Sequence, residues 1–243
     1  MMETTNRTLR ELVSDNPNAA KIFEHYGLDF CCHGAESLRT ACQSKGVDVH
    51  EVSQELESLP NDLSANRYYQ WDLGFLVDYI FNNHHRYIRS NTPLLRGHLS
   101  KVVQVHGTRH PELICAAEIF DAASAELDQH LLKEEVMIFP YIRQLVYAQA
   151  NNQIVPRTPF GSVSNPIAVM MSEHDAAGDA FAQIRELLDE YEPPTDACET
   201  LRLTYHELEE FEHDLHMHVF LENAVLFPRA LKLETEVLNN MGH

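Results

Sequence analysis

The chain has 243 residues and a formal net charge of −19, because 37 acidic side chains outnumber 18 basic ones. This excess of acid repels phosphates, which argues against nucleic acids and anionic membranes as partners. The length suits one medium domain with a small one. Five cysteines without a disulfide-like spacing, a polar first segment and the lack of a long apolar stretch lead us to expect a soluble cytoplasmic protein.

Residues 1–62 are expected to form a small helical domain. Pro17 begins one short helix and Gly27 ends it, the usual asymmetry of helix ends. A further helix is expected to begin near Asp48. The segment from Leu59 to Ser64 has the composition of a linker.

A second domain is expected over residues 66–238, where apolar residues recur with a helical period. Four long helices are predicted, over about Tyr69–His106, Pro111–Ala150, Pro166–Tyr191 and Asp196–Leu238. A bend is expected at Pro93, and a loop rich in Pro, Gly and Ser covers Val155–Ser164. Short links between long helices favour an antiparallel four-helix bundle, so the predicted fold is all-α.

One motif occurs twice in the second domain, 88 residues apart. It reads His130-x-x-x-Glu134 in the first copy and His218-x-x-x-Glu222 in the second. Each copy ends in Phe-Pro, and the Phe follows the Glu by five residues. A histidine and a glutamate four residues apart lie on one face of a helix, about 5–6 Å from each other, so both can reach one metal centre.

Each copy is preceded by another histidine at nearly the same distance. His85 lies 45 residues before the first motif histidine, and His174 lies 44 residues before the second. The repeat therefore predicts a pseudo-twofold bundle in which each half supplies three ligands. Bundle interiors are a common place for di-iron sites of this kind, and imidazole with carboxylate suits iron better than structural zinc.

The bare His-x-x-x-Glu spacing is weak, because it also occurs at His206 and Glu210. His206 lies about 120° round the helix from His218, so we interpret that third copy as surface. His213 and His216 are predicted to point elsewhere for the same reason.

The residues around the motifs also lead to expectations. Glu126 and Asp214 lie one turn before the two motif histidines and are predicted to accept their second N–H groups, with solvated helix acids as the alternative. Glu173 is interpreted as an exposed acid, although a place on a route to the metals stays open. Cys115 and Cys198 are expected to be buried or inert.

These motifs belong to a wider resemblance that covers nearly the whole chain. Residues 66–232 resemble the di-iron hemerythrin-like domain of the Repair of Iron Centres proteins, which mend damaged iron–sulfur clusters. Residues 5–60 resemble the short N-terminal domain of that family. The matching stretches are both motif copies, His84-His85-Arg-Tyr87-Ile-Arg89 with Pro93, residues 105–113, Ser172-Glu173-His174-Asp175, and Asp29-Phe30-Cys31-Cys32. His33 stands where the family has Gly.

The resemblance implies a centre of two iron ions, bridged by carboxylates and by an oxo group. The ligands carried over are His85, His130, Glu134, His174, His218 and Glu222. Adjacent residues differ by 100° on a helix, so His84 is the alternative to His85, and Arg89 at its family spacing favours His85. Cys31 and Cys32 are candidates for thiol chemistry or iron transfer.

The function implied is the repair of iron–sulfur clusters after nitrosative or oxidative damage, by supplying iron or removing nitric oxide. The implied partners are damaged iron–sulfur proteins and nitric oxide or O₂, and a homodimer stays open. Two other functions also stay open. One is a nitric oxide reductase, and the other is a carrier or sensor of O₂ or nitric oxide, which would need no cysteine domain.

Overall fold

The computed structural model describes residues 4–16, 18–30, 34–59, 67–155 and 158–240. The predicted thiol site at Cys31 and Cys32, and most of the predicted linker, lie outside these residues. The regular structure of the described part is helical, which confirms the predicted all-α class. Within this part, no helix combines the length and the apolar character that crossing a membrane requires.

The described residues of the N-terminal part contain a 3₁₀ turn, Thr4–Asn6, and four short helices. These are α1 (Leu9–Asp15), α2 (Ala19–His25), α3 (Leu38–Lys45) and α4 (Val49–Ser58). Gly27 follows α2 with a φ of 63°, a conformation that glycine adopts at no steric cost. Asp48 caps α4 by accepting a hydrogen bond from the backbone N–H of His50, so the expected start of this helix is confirmed.

Four long helices, named A to D here, form the second part. After the short α5 (Arg67–Gln70), helix A covers 73–106 as α6 (Leu73–Ile80), the π-helical segment π1 (Phe81–His85) and α7 (Arg86–His106). Helix B covers 112–151 as α8 (Glu112–Lys133), π2 (Glu134–Ile138) and α9 (Phe139–Asn151). Helix C is α10 (Ser164–Leu187). Helix D covers 199–240 as α11 (Glu199–Phe220), π3 (Leu221–Leu226) and α12 (Phe227–Asn240).

The four helices pack as the predicted antiparallel bundle. Helix A lies between B and D, and helix C contacts the same two neighbours. Helix A continues through Pro93. Helix C ends four residues before its predicted end, because Asp189, Glu190 and Tyr191 all have positive φ and turn the chain while Tyr191 stays buried.

A cluster of aromatic side chains packs between helices B, C and D. Phe120, Phe181 and Phe211 come from helices B, C and D, and their ring centroids lie 5.4 to 6.1 Å apart. All three are fully buried. Such pairs add about 0.5–1.5 kcal/mol each beyond the burial of their area, so they fix the spacing of the helices that carry the repeated motif.

The N-terminal helices pack against this bundle and share its apolar core. The ring of Phe30 lies edge-on to that of Phe220 in helix D, at 5.8 Å. Arg10 in α1 pairs with Asp175 in helix C at 2.8 Å. The residue that precedes Cys31 is therefore anchored on the bundle by a buried ring contact.

Candidate metal centre

Six histidine and glutamate side chains meet in the interior of the bundle. They are the six residues that the repeat and the resemblance indicate, and none is more than 2% exposed. Helix A supplies His85, helix B supplies His130 and Glu134, helix C supplies His174, and helix D supplies His218 and Glu222.

Their ligand atoms form two groups, and within each group all atoms lie within 4.8 Å of one another. The first group contains His85 and His218, and the second contains His130 and His174. Glu134 and Glu222 belong to both groups. Two positions with two imidazoles each, joined by two shared carboxylates, are the layout of a carboxylate-bridged dinuclear site.

Within the groups, imidazole Nε2 atoms contact carboxylate oxygens. Nε2 of His218 and Nε2 of His174 each lie 3.1 Å from an oxygen of Glu222. Nε2 of His85 and Nε2 of His130 each lie 3.4 Å from Oε2 of Glu134. All four imidazoles therefore aim the same nitrogen at the shared carboxylates.

The hydrogen bonding of the site tests whether metal ions fit it. Both oxygens of Glu134 and of Glu222, and Nε2 of His85 and of His218, are buried without a hydrogen-bond partner. An unsatisfied buried polar group costs about 1–3 kcal/mol, so six together are a large penalty in a native fold. Two divalent cations would satisfy these atoms, and the donor set suits transition metals such as iron.

The pKa values show how strongly the groups depend on one another. Burial alone lowers the pKa of His85, but Glu134 and Glu222 outweigh burial and raise it to about 10. Burial and the charge of Glu222 raise the pKa of Glu134 to about 8. Burial lowers the pKa of His218 to about 4. The side chains by themselves therefore hold protons that a bound cation must displace.

Family comparisons agree with this geometry. The model of the hemerythrin HHE cation-binding domain matches residues 76–230, and that of a domain of unknown function, DUF542, matches residues 5–60. The chain is 36% identical over 233 residues to the "Probable iron-sulfur cluster repair protein" of Haemophilus influenzae, which covers 95% of this chain and 99% of the relative. It is 34% identical to the iron–sulfur cluster repair protein ScdA of Staphylococcus haemolyticus, over 93% of this chain and 98% of ScdA.

Another relative, the iron–sulfur cluster repair protein YtfE of an Enterobacter species, is 34% identical over 95% of this chain and 99% of its own length. The chain belongs to the iron–sulfur cluster repair family. The family assignment made from the motifs is thus confirmed.

In this member of the repair family, π-helical turns lie at three of the ligand positions. His85 ends π1, Glu134 begins π2 and Glu222 lies in π3. A π turn holds more residues than an α turn, so adjacent side chains diverge less, and such turns are frequent at functional sites. This is why both His84 and His85 are buried, whereas one inward histidine was expected.

Side chains behind the imidazoles determine their orientation. Glu135 accepts a hydrogen bond from Nδ1 of His85 at 2.8 Å and is itself held by Arg89 at 2.7 Å. Asn223 follows the second motif glutamate as Glu135 follows the first. Its side-chain oxygen lies 3.0 Å from Nδ1 of His174. These two contacts fix the tautomer that leaves Nε2 free for a metal.

The prediction that Glu126 and Asp214 support the motif histidines is wrong. Glu126 is exposed, and Nδ1 of His130 lies 2.9 Å from Glu173 on helix C, which also pairs with Lys133. Asp214 accepts from Nδ1 of His84 instead, at 2.9 Å. The interpretation of Glu173 as a plain exposed acid is likewise wrong, because Glu173 is half-buried and contacts His130 and Lys133 on the neighbouring helix B.

The repeated phenylalanine has a packing role in each half. Phe139 stacks on His85, with ring centroids 5.1 Å apart, and Phe227 stacks on His174 at 6.2 Å with an interplanar angle of 7°. Each motif phenylalanine thus covers the upstream histidine of its own half and keeps one face of that ring dry.

The remaining predicted residues lie away from the six. His206 is 63% exposed at its side chain, and His213 and His216 are not among the grouped ligands of the described residues. Cys115 and Cys198 are exposed, so of the two expected alternatives burial is wrong, and inertness stays a prediction.

Proposed function

We propose that the six buried side chains hold two iron ions, and that the protein uses this iron to repair iron–sulfur clusters damaged by oxidative or nitrosative stress. The observation that carries the proposal is the sharing of Glu134 and Glu222 by two groups of ligand atoms. The names of the relatives point the same way, since they are called iron–sulfur cluster repair proteins.

Each residue has a definite part in this proposal. Glu134 and Glu222 bridge the two positions, His85 and His218 complete the first, and His130 and His174 complete the second. Iron bound there supplies labile metal ions and positions at which nitric oxide or O₂ can bind. The protein interior keeps bulk water away, because all six side chains are buried.

We also propose that Cys31 and Cys32 take part in the transfer step. They follow Phe30, which packs on Phe220 in helix D only two residues beyond His218. Thiolates are soft ligands and good nucleophiles, suited to receiving iron or nitrosyl groups from an imidazole–carboxylate site. A thiol pair carried on the same chain has a high effective concentration at the centre.

The experiment uses protein loaded with ⁵⁷Fe and an iron–sulfur enzyme inactivated by nitric oxide. We expect recovery of the enzyme's activity, with ⁵⁷Fe in its rebuilt cluster if iron is supplied, or without ⁵⁷Fe if nitric oxide is removed. Sustained conversion of nitric oxide to nitrous oxide with a reductant would instead identify a reductase. The absence of recovery would refute the repair proposal.

The thiol role is tested with the Cys31→Ser/Cys32→Ser double variant loaded to the same iron content. We expect several-fold slower recovery at unchanged iron content. Cys115→Ser/Cys198→Ser is the matched control, because those thiols are exposed but lie on the bundle. Equal rates in all three proteins would leave the N-terminal part with a structural role.

A further inference from the structure

A second cluster of histidines and acids lines a surface cavity beside the buried centre. The cavity has a volume of about 610 Å³ and opens between helices A and D. Its described lining contains three imidazoles, three carboxylates, a tyrosine and a methionine, and neither lysine nor arginine. These are His84, Tyr87, His206, Glu209, Glu210, His213, Asp214 and Met217.

Most of these side chains form one stripe of helix D. His206, Glu210 and Asp214 follow one another at intervals of four residues, so they lie on the same face. Nε2 of His206 lies 3.5 Å from Glu210, and both side chains are more than half exposed. The stripe therefore runs from the solvent towards the interior.

His84 closes the inner end of the cavity. It is only 5% exposed, and its Nε2 has no hydrogen-bond partner among the described residues. Its Nδ1 is paired with Oδ1 of Asp214 at 2.9 Å, while Oδ2 of Asp214 is also buried and unpartnered. An imidazole oriented by a carboxylate at Nδ1, with Nε2 free, has the arrangement of a metal-ligating histidine.

The cavity adjoins the first position of the buried centre. The ring of His84 stacks on that of His218, with centroids 6.0 Å apart and planes at 10°. No described residue partners Nδ1 of His218. A cation at His84 would thus be separated from the buried centre by one imidazole.

We propose that this cavity is a peripheral site for a single divalent transition-metal cation, and that cations pass through it on their way to the buried centre. Nε2 of His84 binds the cation at the inner end, and Asp214 orients this imidazole through its contact with Nδ1. Glu210 and His206 attract it from solvent at the outer end. The passage rests on the proposed function, whereas the binding site does not.

The binding is tested on protein whose buried centre is already filled with iron. Equilibrium dialysis against Co²⁺ without oxygen should give one further bound cation per chain. The His206→Ala/Glu210→Gln double variant and Asp214→Asn should each weaken this binding at least tenfold. The exposed pair in the double variant can be removed with little risk to folding, which thermal unfolding checks.

A matched control lies between the same two helices. His98 on helix A and Glu207 on helix D form a pair at 2.6 Å but do not line the cavity. His98→Ala/Glu207→Gln should bind the additional Co²⁺ as the parent protein does. An absence of saturable Co²⁺ binding, or equal weakening in this control, overturns the site.

The passage is tested by the rate at which metal-free protein takes up Fe²⁺ into the buried centre. The His206→Ala/Glu210→Gln variant should load several-fold more slowly and reach the same final iron content. Weakened Co²⁺ binding with an unchanged loading rate overturns the passage and keeps the site. A parent protein that never retains two irons refutes the proposed function instead, so the two failures are distinguishable.

Discussion

The two halves of the bundle carry the same motif but surround it differently. In the first half, both histidines are backed by carboxylates, His85 by Glu135 and His130 by Glu173. In the second half, His174 is backed by the amide of Asn223, and no described residue partners Nδ1 of His218. The six grouped side chains therefore follow the pseudo-twofold symmetry, and the side chains behind the imidazoles depart from it.

This departure from pseudo-twofold symmetry arises at two pairs of equivalent positions. Glu135 and Asn223 both follow the motif glutamate, and each contacts the upstream histidine of its own half. Glu173 and His84 both precede the upstream histidine, but only Glu173 contacts a motif histidine by hydrogen bond. At the first pair an amide takes the place of a carboxylate, and at the second pair a histidine that stacks on His218 takes the place of a carboxylate that accepts a hydrogen bond.

This comparison teaches that the two proposed metal positions are more alike than the two halves of the bundle. The first position draws His85 from one half and His218 from the other, and the second draws His130 and His174 in the same way. Each position thereby receives one imidazole with a carboxylate behind it and one without. A carboxylate partner raises the basicity of a histidine ligand, so the crossing of ligands evens out the two positions.

The largest effect is expected from removing a shared carboxylate. Glu134→Leu or Glu222→Leu removes a ligand from both positions at once, so either variant should lose nearly all bound iron while remaining helical. Elemental analysis and circular dichroism measure both properties. Glu126→Gln is the control, since Glu126 is an exposed acid on the same helix as Glu134. Retention of two irons by both leucine variants would show that the carboxylates are not bridges.

The asymmetry of the side chains behind the imidazoles predicts a smaller effect on iron binding. Glu135→Gln or Glu173→Gln should weaken iron binding about 10- to 100-fold, the usual cost of losing a partner behind a histidine ligand. Asn223→Asp makes the second half resemble the first and should tighten binding. The rate of iron release to a chelator measures all three variants. If Asn223→Asp and Glu135→Gln change the rate in the same direction, the explanation by basicity fails.

The pKa values of His85 and His218 differ widely, and they predict that the affinity of the site for metal depends on pH. The carboxylates raise the pKa of His85 to about 10, so His85 carries a proton at neutral pH, whereas burial lowers the pKa of His218 to about 4. A metal must displace the proton of His85 and, below pH 8, that of Glu134, whose pKa is about 8, so affinity should increase about tenfold per pH unit for each proton displaced. Metal competition between pH 6 and 8 tests this, together with proton release in a weakly buffered solution. An affinity that does not change with pH would contradict it.

The smallest effect is expected on the outer face of helix D. His216→Ala should leave the iron content at that of the parent protein, because His216 faces Glu212 and belongs to neither group of ligand atoms. The same is expected of the final iron content of His206→Ala and His213→Ala. Loss of about half the iron in any of these variants would show that the six-residue set is incomplete.

Much of this protein could be predicted from local patterns. The helical period and the capping residue Asp48 indicated helices that the structure contains, because both depend on residues a few positions apart. The repeat indicated six side chains that come together in the interior. The helical turn sets the spacing of His and Glu within each motif copy, whereas His85 and His174 were indicated by their matched distances upstream and by the family resemblance. Glu126, in contrast, was selected by the same local rule and lies on the surface.

The sequence by itself thus determined the all-α class, the two-part organisation of the motifs and the six residues that converge. Only the tertiary structure decided which imidazoles share a position, and that Glu173 on helix C supports His130 on helix B. It also decided that His84 and His85 are both buried, through the π turn that ends at His85. The physical reason is that these contacts join different helices, 43 residues apart in the case of Glu173 and His130, so their partners depend on how the helices pack, whereas the periods seen along one helix do not.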